Sequence, residues 1–327
     1  MAGELALSFG ETPADYDTLL AAAALCDLGD LGALALSGPD SAKFLQGQST
    51  ADFSQLVPGG TLRGACCNLQ GRVFTSFVAV PTDAGLLLVM NRALVVPSLQ
   101  TLAKYAVFSK TSLADASDDY RILGLAGDQA AAILASLGLR IPDRGSARAD
   151  DGTLAIHCGD TLFLLAVPIA QAQTRWLELE SHARPAGLPL WHLLDIRAGH
   201  ADVRPETGDQ FLPQMLNYHH SGAVSFTKGC YTGQEVVART QYRGKLKRHL
   251  HHLSMATTTA PAPGSQILMP GDANPVGIVV LAAPAGADRC EALVVLRDEA
   301  RDASVLEFGG GPIAVEFLPL PYTTAAE

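Results

Sequence analysis

The residues best suited to chemistry lie in one short segment, residues 225–240. It contains the run Lys-Gly-Cys-Tyr-Thr-Gly-Gln-Glu at positions 228–235. Cys230 stands two residues from Lys228, whose positive charge favours a thiolate. Gly229 permits close approach of a ligand beside the thiol. A cysteine in this setting can act as a nucleophile, a metal ligand or a redox-sensitive thiol; the plain alternative is a small buried residue that fills a turn.

The same segment predicts the helix that positions Cys230. Thr232 and Glu235 have the spacing of a capping box, so we expect a helix that begins near Gly233 and continues through Arg239. The partial positive charge at the helix N-terminus would then stabilise a Cys230 thiolate further. We therefore expect Cys230 to be the most reactive of the six cysteines, with a pKa below the reference of about 8.5.

Residues that commonly bind metals show no spacing that predicts a metal site. None of the six cysteines forms a CxxC pair, which disfavours a zinc ribbon or a thioredoxin-type site. Five of the nine histidines fall into two short runs, namely His219, His220, His249, His251 and His252. We interpret these histidines as surface residues, and the adjacent Cys66 and Cys67 as small core residues.

Composition sets the broad class of the protein. The chain has 327 residues, of which 48% are apolar and 17% are charged, so it is long enough for two or three folded domains. The N-terminus lacks the cationic start and apolar run of a signal peptide, and no uninterrupted apolar stretch suits a membrane span. Together with the few cysteines, this predicts a cytoplasmic protein without a membrane partner.

Patterns along the chain predict the elements that must position Cys230. We expect a strand at 33–37, a capped helix at 40–46 and a helix at 92–106 that breaks or restarts at Pro97. From position 115, strand and helix patterns alternate as in a small α+β sandwich. After position 250, short β-like runs between Gly and Pro clusters predict a small β-barrel or sandwich.

The motifs, taken together, resemble those of the YgfZ family, tetrahydrofolate-dependent proteins that support iron–sulfur cluster biogenesis. The cysteine run at 228–235 with Arg239 resembles the signature of that family. Four further segments match the family in order: Phe44-Leu-Gln-Gly-Gln-Ser-Thr50, Cys67-Asn-Leu-Gln-Gly-Arg72, Phe211-Leu-Pro-Gln214 and Tyr242-Arg-Gly244. The resemblance covers positions 28 to 250, and the last 77 residues match only in β-like character.

The resemblance implies a fold in three parts. The family is similar in fold to the T protein of the glycine cleavage system, an aminomethyltransferase of the α+β class. We therefore expect a folate-binding α/β region over 1–114 plus 187–248, which carries the cysteine motif. A ferredoxin-like region would occupy 115–186 and a C-terminal β-barrel 249–327.

The chain departs from the transferase at three positions that matter for its chemistry. Aligned on the turn at 68–71, Thr75 and Ser76 stand where the transferase has a pair of aspartates, one of them catalytic. Neither supplies the carboxylate that one-carbon transfer uses. Arg197 stands where the transferase has the glutamate that holds the pterin, and a cation cannot accept the pterin's N–H groups. These departures disfavour glycine-cleavage activity and leave open whether the chain is an enzyme.

The resemblance implies a site for tetrahydrofolate around the cysteine motif. Within it, Cys230 and Lys228 are the candidates for chemistry, and Glu235 and Arg239 would hold the turn. The candidate folate-binding residues are Asn68, Arg197, Gly229, Tyr231, Gly233, Gln234, Glu235 and Arg239.

A basic cluster accompanies this site in an otherwise acidic chain. Six cations and one anion lie between positions 228 and 248, a local net charge of +5 in a chain of formal charge −10. The cations are Lys228, Arg239, Arg243, Lys245, Lys247 and Arg248. The cluster can steer an anionic folate tail or an acidic partner protein, can contact RNA through Lys245, Lys247 and Arg248, or can be only a solvated surface.

The leading hypothesis is therefore a folate-binding accessory protein for iron–sulfur enzymes of the [4Fe–4S] class, including enzymes that modify tRNA. Its partners would be iron–sulfur client or carrier proteins. Cys230 would ligate cluster iron transiently, exchange disulfides or accept a one-carbon unit. The alternative is a folate-dependent one-carbon transferase with an altered substrate, which a carboxylate brought to Thr75 and Ser76 from elsewhere in the chain would favour.

Overall fold

The structure is a computed structural model that describes residues 5–139, 141, 145–149, 151–244 and 246–322. Its longer strands are β1 (Ala24–Asp27), β2 (Leu31–Ser37), β3 (Leu62–Cys67), β4 (Val73–Thr82), β5 (Gly85–Asn91), β6 (Ser112–Asp115), β7 (Tyr120–Ala126), β8 (Ser146–Arg148), β9 (Leu154–Gly159), β10 (Leu162–Pro168), β11 (Arg184–Ala186), β12 (Arg248–Met255), β13 (Gln266–Ile267), β14 (Gly277–Pro284), β15 (Cys290–Arg297), β16 (Val305–Glu307) and β17 (Pro312–Leu318). The α-helices are α1 (Tyr16–Leu20), α2 (Ser41–Gln48), α3 (Arg92–Ala106), α4 (Ala130–Ser136), α5 (Ala172–Glu180), α6 (Leu188–Arg197) and α7 (Gln234–Arg243).

A six-stranded sheet contains the strands of the α+β pattern that the sequence predicts after position 115, together with β1 from the N-terminal part of the chain. Its strand order is β11-β1-β7-β10-β9-β8, and all its pairs are antiparallel except β1 with β11. Leu125, Phe163 and Leu165 from its strands share one core cluster with Leu134 of α4 and Leu179 of α5. The helices thus cover one face of this sheet because both supply apolar residues to the same core.

A second sheet carries the longest helix of the described residues. Its order is β3-β4-β5-β2-β6, and β2 pairs antiparallel with both β5 and β6. The buried residues Leu94, Val95 and Leu102 make up the inner face of α3. The expected break at Pro97 is wrong, because α3 is continuous from residue 92 to 106. Pro97 lies in the second turn, where it removes one backbone hydrogen bond without ending the helix.

The C-terminal strands form the small barrel that the sequence predicts. They follow the order β13-β14-β15-β12-β17-β16. Reciprocal backbone hydrogen bonds of 3.0 and 2.9 Å between Leu268 and Glu307 join the two edges of this sheet. Leu253, Ile267 and Val294 lie in its apolar core, so closure buries the edges that an open sheet would expose.

The chain divides into two compact units. Unit 1 comprises Met1–Gly47, Asp52–Arg63 and Phe77–Trp191; unit 2 comprises Gln48–Ala51, Gly64–Ser76 and His192–Glu327. Strands β3 and β4 and helix α6 continue from one unit into the other. The three-part division at 114, 186 and 248 stays a prediction. Among the described residues, no helix is both long and apolar enough to cross a bilayer.

Candidate functional site

The cysteine motif forms a turn that leads into α7 in unit 2. Cys230 is exposed, whereas four of the other cysteines are buried and Cys158 is half-buried; all six are free thiols. A β-carbon added at Gly229 would meet no atom within 4 Å, so the space beside the thiol is open. Cys230 is therefore not a buried turn-filler, and a ligand or partner can approach it.

Lys228 lies in the interior behind this turn. Its side chain is 8% exposed, and its ammonium donates to the backbone carbonyls of Ser49 and Ala51 at 2.7 and 2.6 Å. The Nζ atom also lies 5.1 Å from the centre of the Tyr231 ring. These contacts stabilise a buried cation that would otherwise be costly to desolvate. Lys228 thus ties the motif to the 49–51 segment.

The charge of Lys228 acts on the buried thiol of Cys66. Burial raises the pKa of Cys66 to about 12, and the nearby Lys228 ammonium opposes that rise. Cys66 lies opposite Ser49 in an isolated β-bridge, next to the carbonyls that Lys228 holds. Activation of Cys230 by Lys228 stays a prediction, while the anchoring contacts are present in the structure.

The start of α7 differs from the predicted capping box. Gly233 is the N-cap and has a left-handed conformation at φ 84°, and no side chain caps the helix there. The Thr232 hydroxyl instead donates to Gln48 Oε1 at 3.2 Å. Glu235 is exposed on the first turn of the helix. The predicted helix start is confirmed, but the capping box is wrong because the Thr232 hydroxyl is used in a tertiary contact.

The turn between β3 and β4 packs against this helix start. Asn68 Oδ1 accepts from the backbone N–H groups of residues 70 and 72, and Asn68 Nδ2 donates to Asp209 at 2.7 Å. A β-carbon at Gly233 would lie 2.5 Å from the Asn68 carbonyl oxygen, and one at Gly71 would lie 3.1 Å from Val236 Cβ. Asn68 thus shapes the turn, and the two glycines allow it to meet α7 closely.

Two glutamines contact the motif: Gln214, which the sequence analysis did not name as a site residue, and Gln234, which it did. Gln214 is 2% exposed and donates from Nε2 to the Val237 carbonyl at 2.7 Å. Gln234 Nε2 lies 3.5 Å from the Gly229 carbonyl. Both Glu235 and Arg239 are exposed, and their expected role in holding the turn stays a prediction. Gln214 lies within the segment 211–214 that resembles the family, and this resemblance was the sequence signal that could have identified it.

A carboxylate lies beside the residues that replace the aspartate pair. Ser76 Oγ donates to Asp202 Oδ1 at 3.1 Å and accepts from the Val203 backbone N–H at 2.9 Å. Thr75 is fully buried, and its hydroxyl has no hydrogen-bond partner among the described residues. Asp202 thus brings a carboxylate from elsewhere in the chain beside Ser76, which is the kind of observation that favours the alternative hypothesis.

Arg197 belongs to a charged triad. Its guanidinium donates from Nε and Nη2 to the two carboxylate oxygens of Glu291 at 3.1 and 2.9 Å. Glu291 Oε2 also lies 2.9 Å from His252 Nε2, and Glu291 and His252 are each 5% exposed. Burial would raise the pKa of Glu291, but the hydrogen bonds from His252 and Arg197 outweigh it and lower the pKa to about 2.

The histidine runs do not all lie on the surface. His252 is buried, which corrects the surface interpretation for that residue, because its ring is needed beside the Glu291 carboxylate. The rings of His219 and His220 lie 4.0 Å apart, and His251 packs edge-on against Phe317. Within the described part of the chain, no three His, Cys, Asp or Glu residues are grouped so as to hold a metal ion.

The cations of the basic cluster do not all lie on the protein surface. Lys228 points inward, whereas Arg239, Arg243 and Lys247 are exposed. Burial, together with the nearby charges of Arg297 and Arg72, lowers the pKa of Arg248. Arg72 and Arg297, which lie outside the window 228–248, therefore add positive charge near Arg248. Lys245 lies outside the described residues.

Comparisons with known proteins agree with this architecture. A family model described as the GCVT N-terminal domain matches residues 8–142. The chain is 35% identical to the tRNA-modifying protein YgfZ of Klebsiella pneumoniae strain 342, over 91% of this chain and 93% of that protein. It is 37% identical to the protein of the same name from Yersinia enterocolitica, over 74% of each.

A solved structure establishes the fold class. The glycine cleavage system aminomethyltransferase T of Bartonella henselae matches with a TM-score of 0.80 at 20% identity, covering 99% of this chain and 93% of that one. At this identity the likeness concerns the fold alone. The predicted α+β fold of the T-protein type is confirmed.

Substitution by alanine should lower the stability of the protein much more at Gly233 than at Gly229. Gly233→Ala forces a side chain into a left-handed conformation and against the Asn68 carbonyl, so we expect a loss of unfolding free energy on the order of 2 kcal/mol or more. Gly229→Ala enters open space and should change stability by less than about 0.5 kcal/mol. Urea denaturation of both variants measures this, and equal losses would contradict the packing described here.

The charged triad predicts a specific acid sensitivity. The pKa of Glu291 is lowered from its ordinary 4.5, so its stabilisation is complete above about pH 4.5 and is lost as the pH falls towards 2. The contribution is on the order of 3 kcal/mol. Glu291→Gln should destabilise the protein at pH 7 and flatten this part of the stability–pH curve, measured by denaturation at several pH values. An unchanged slope would contradict the assignment to Glu291.

Proposed function

Because the chain belongs to the YgfZ family, we propose that it is a folate-binding accessory protein for the assembly or repair of iron–sulfur enzymes of the [4Fe–4S] class. The observation that carries this proposal is the exposed Cys230 thiol, held on a turn that is anchored from the interior. The names of the curated relatives support clients that modify tRNA. The proposed site of action is the cytoplasm.

A single exposed cysteine suits transfer of iron better than its storage. Thiolate is a soft ligand that favours iron–sulfur clusters, which are usually held by four cysteines. Cys230 has no second cysteine beside it in sequence, and no metal-ligating group of three occurs among the described residues. In our proposal Cys230 contributes one ligand to a cluster in transit, and the client or carrier protein contributes the others.

The surface around Cys230 supports contact with such a protein. Helix α7 exposes Val236, Arg239, Tyr242 and Arg243, and Tyr242 is 69% exposed. Tyr and Arg are the residues most often responsible for affinity at protein interfaces. An acidic client would be attracted to this face by charge and held by its apolar atoms.

The residues of unit 2 fit part of a folate molecule. The positive charges of Arg72 and Arg297 near Arg248 would attract the carboxylates of the glutamate tail. The buried Thr75 hydroxyl offers an unused hydrogen-bonding group. Arg197 does not fit the acceptor role towards a pterin, because it is a donor already paired with Glu291. We therefore propose that tetrahydrofolate is held chiefly through its anionic tail.

The alternative function is a folate-dependent one-carbon transferase with an altered substrate. The observation that favours it is the Asp202 carboxylate at Ser76, because a carboxylate there can take a proton from an attacking amine or water. We rank it second because Ser76 Oγ also binds the Val203 backbone, which gives the pair a structural role as well.

The thiol proposal predicts a selective loss of function. In a strain that lacks the gene, activity of a [4Fe–4S] enzyme should return with wild type and with the half-buried control Cys158→Ser, but not with Cys230→Ser. Thermal unfolding of the purified variants should confirm that Cys230→Ser is folded, because Cys230 is exposed. Full restoration of enzyme activity by Cys230→Ser would refute the thiol mechanism.

The transferase alternative makes its own prediction. Purified protein would consume methylene-tetrahydrofolate with an amine acceptor, and Asp202→Asn would lower the rate by roughly 10²–10⁴-fold. Asp272→Asn, on an exposed loop, is the control and should leave the rate unchanged. If no turnover occurs with wild type, the alternative is excluded for that substrate class, and the proposed accessory role is unaffected.

A further inference from the structure

Apolar side chains are exposed where the turn at 68–71 meets α7. Leu69 on this turn is 74% exposed, and Val236 on the first turn of α7 is 36% exposed. Gly71 brings the two elements into contact, because a β-carbon there would lie 3.1 Å from Val236 Cβ. Tyr242 is exposed further along α7. We call Leu69, Val236 and Tyr242 the docking face; its helix follows directly from the turn that presents Cys230.

Contacts within the protein hold the docking face in place. Asn68 Oδ1 accepts from two backbone N–H groups that follow it in the chain, at 2.9 and 3.0 Å, which fixes the turn that carries Leu69. The Tyr242 ring packs edge-on against Phe226, with 6.3 Å between the ring centres. A partner that covers Leu69 and Tyr242 therefore has less conformational entropy to remove, which favours affinity.

Arginines flank the docking face. Arg239 and Arg243 lie three and seven residues after Val236, so they share its side of α7, and both are exposed. Arg72 directly follows the turn at 68–71, and its positive charge reaches Arg248. Apolar side chains that are rimmed by charged ones mark interaction sites on protein surfaces, and here the rim is mainly cationic. The rim therefore favours a partner that is mainly acidic.

Two carboxylates among these arginines narrow the choice of partner. Glu235 is exposed on the first turn of α7, and the exposed Asp209 accepts from Asn68 Nδ2 at 2.7 Å. Both would repel the uniformly anionic surface of an RNA backbone or an acidic lipid layer, whereas a protein can place a basic or neutral group opposite each of them. A second copy related by a two-fold axis would bring the arginines against themselves, which like-charge repulsion disfavours.

We propose that the docking face binds a mainly acidic segment of the client protein, with an apolar side chain of the client packed against Leu69 and Val236. This inference rests on the proposed function, since it names the part of the client that is held while Cys230 acts. Docking and ligation are separate roles: Leu69 and its neighbours supply affinity, and Cys230 supplies one ligand. The two roles can therefore be separated by substitution.

Binding to the purified apo form of a [4Fe–4S] enzyme, one whose activity falls in the strain that lacks the gene, tests the docking face. Measured by biolayer interferometry, Leu69→Asp should raise the dissociation constant by about tenfold or more. Leu177→Asp, which places the same charge on the 58% exposed Leu177 of α5, is the matched control and should bind like wild type. Cys230→Ser should also bind like wild type, because the thiol supplies a ligand rather than affinity.

The results separate this inference from the proposed function. If no [4Fe–4S] enzyme loses activity in the strain that lacks the gene, the proposed function and the docking inference both fail. If an enzyme does depend on the protein but Leu69→Asp binds it as tightly as wild type does, only the docking inference is overturned. Loss of binding in Cys230→Ser alone would likewise overturn it, because the thiol would then be the main contact.

Three further probes test the choice of partner: bulk tRNA, vesicles that contain phosphatidylserine, and a second copy of the chain, followed by sedimentation velocity. Wild type and Leu69→Asp should behave alike towards all three. If wild type binds tRNA or vesicles and Leu69→Asp does not, the docking face belongs to RNA or lipid and the proposal is overturned. A wild-type dimer that Leu69→Asp dissociates would overturn it in favour of a second copy.

Discussion

The buried ammonium of Lys228 is the constraint on which the candidate site depends. A cation in the interior must be compensated, and here the carbonyls of Ser49 and Ala51 and the Tyr231 ring provide that compensation. The same contacts join the cysteine motif to the 49–51 segment, in which Ser49 forms a β-bridge with Cys66. With the interior side of the turn held in this way, Cys230 is left on the outside with open space beside it.

The charged residues of the site differ from those of the transferase pattern described above. Arg197 stands where that pattern has an acid, and the Glu291 carboxylate from β15, which also contacts His252, pairs with it. Thr75 and Ser76 stand where it has aspartates, and Asp202 approaches Ser76 from a loop. Glu291 and Asp202 therefore provide partners for the residues that differ from the transferase pattern. The exposed Cys230 thiol is the candidate reactive group, and the space beside it is open.

Much of this architecture could be predicted from the sequence, because local patterns determine it. The strand at 33–37, the helix start near Gly233 and the C-terminal β-strands follow from periodicity and turn residues. The partners of Lys228, Arg197 and Thr232 could not be predicted, since they come from positions far away in the chain. The capping box failed for this reason: the spacing of Thr232 and Glu235 fits a cap, but Gln48 binds the Thr232 hydroxyl.

The most direct test is the alkylation rate of each cysteine in wild type and in Lys228→Met, followed by mass spectrometry at one pH. If Lys228 acts as an anchor, Cys230 reacts first in both proteins at similar rates. The variant should also lose protection at Cys66 and Cys67, beside the released 49–51 segment. A sharp fall in the Cys230 rate while Cys66 and Cys67 stay protected would contradict the account, because Lys228 would then be activating the thiol.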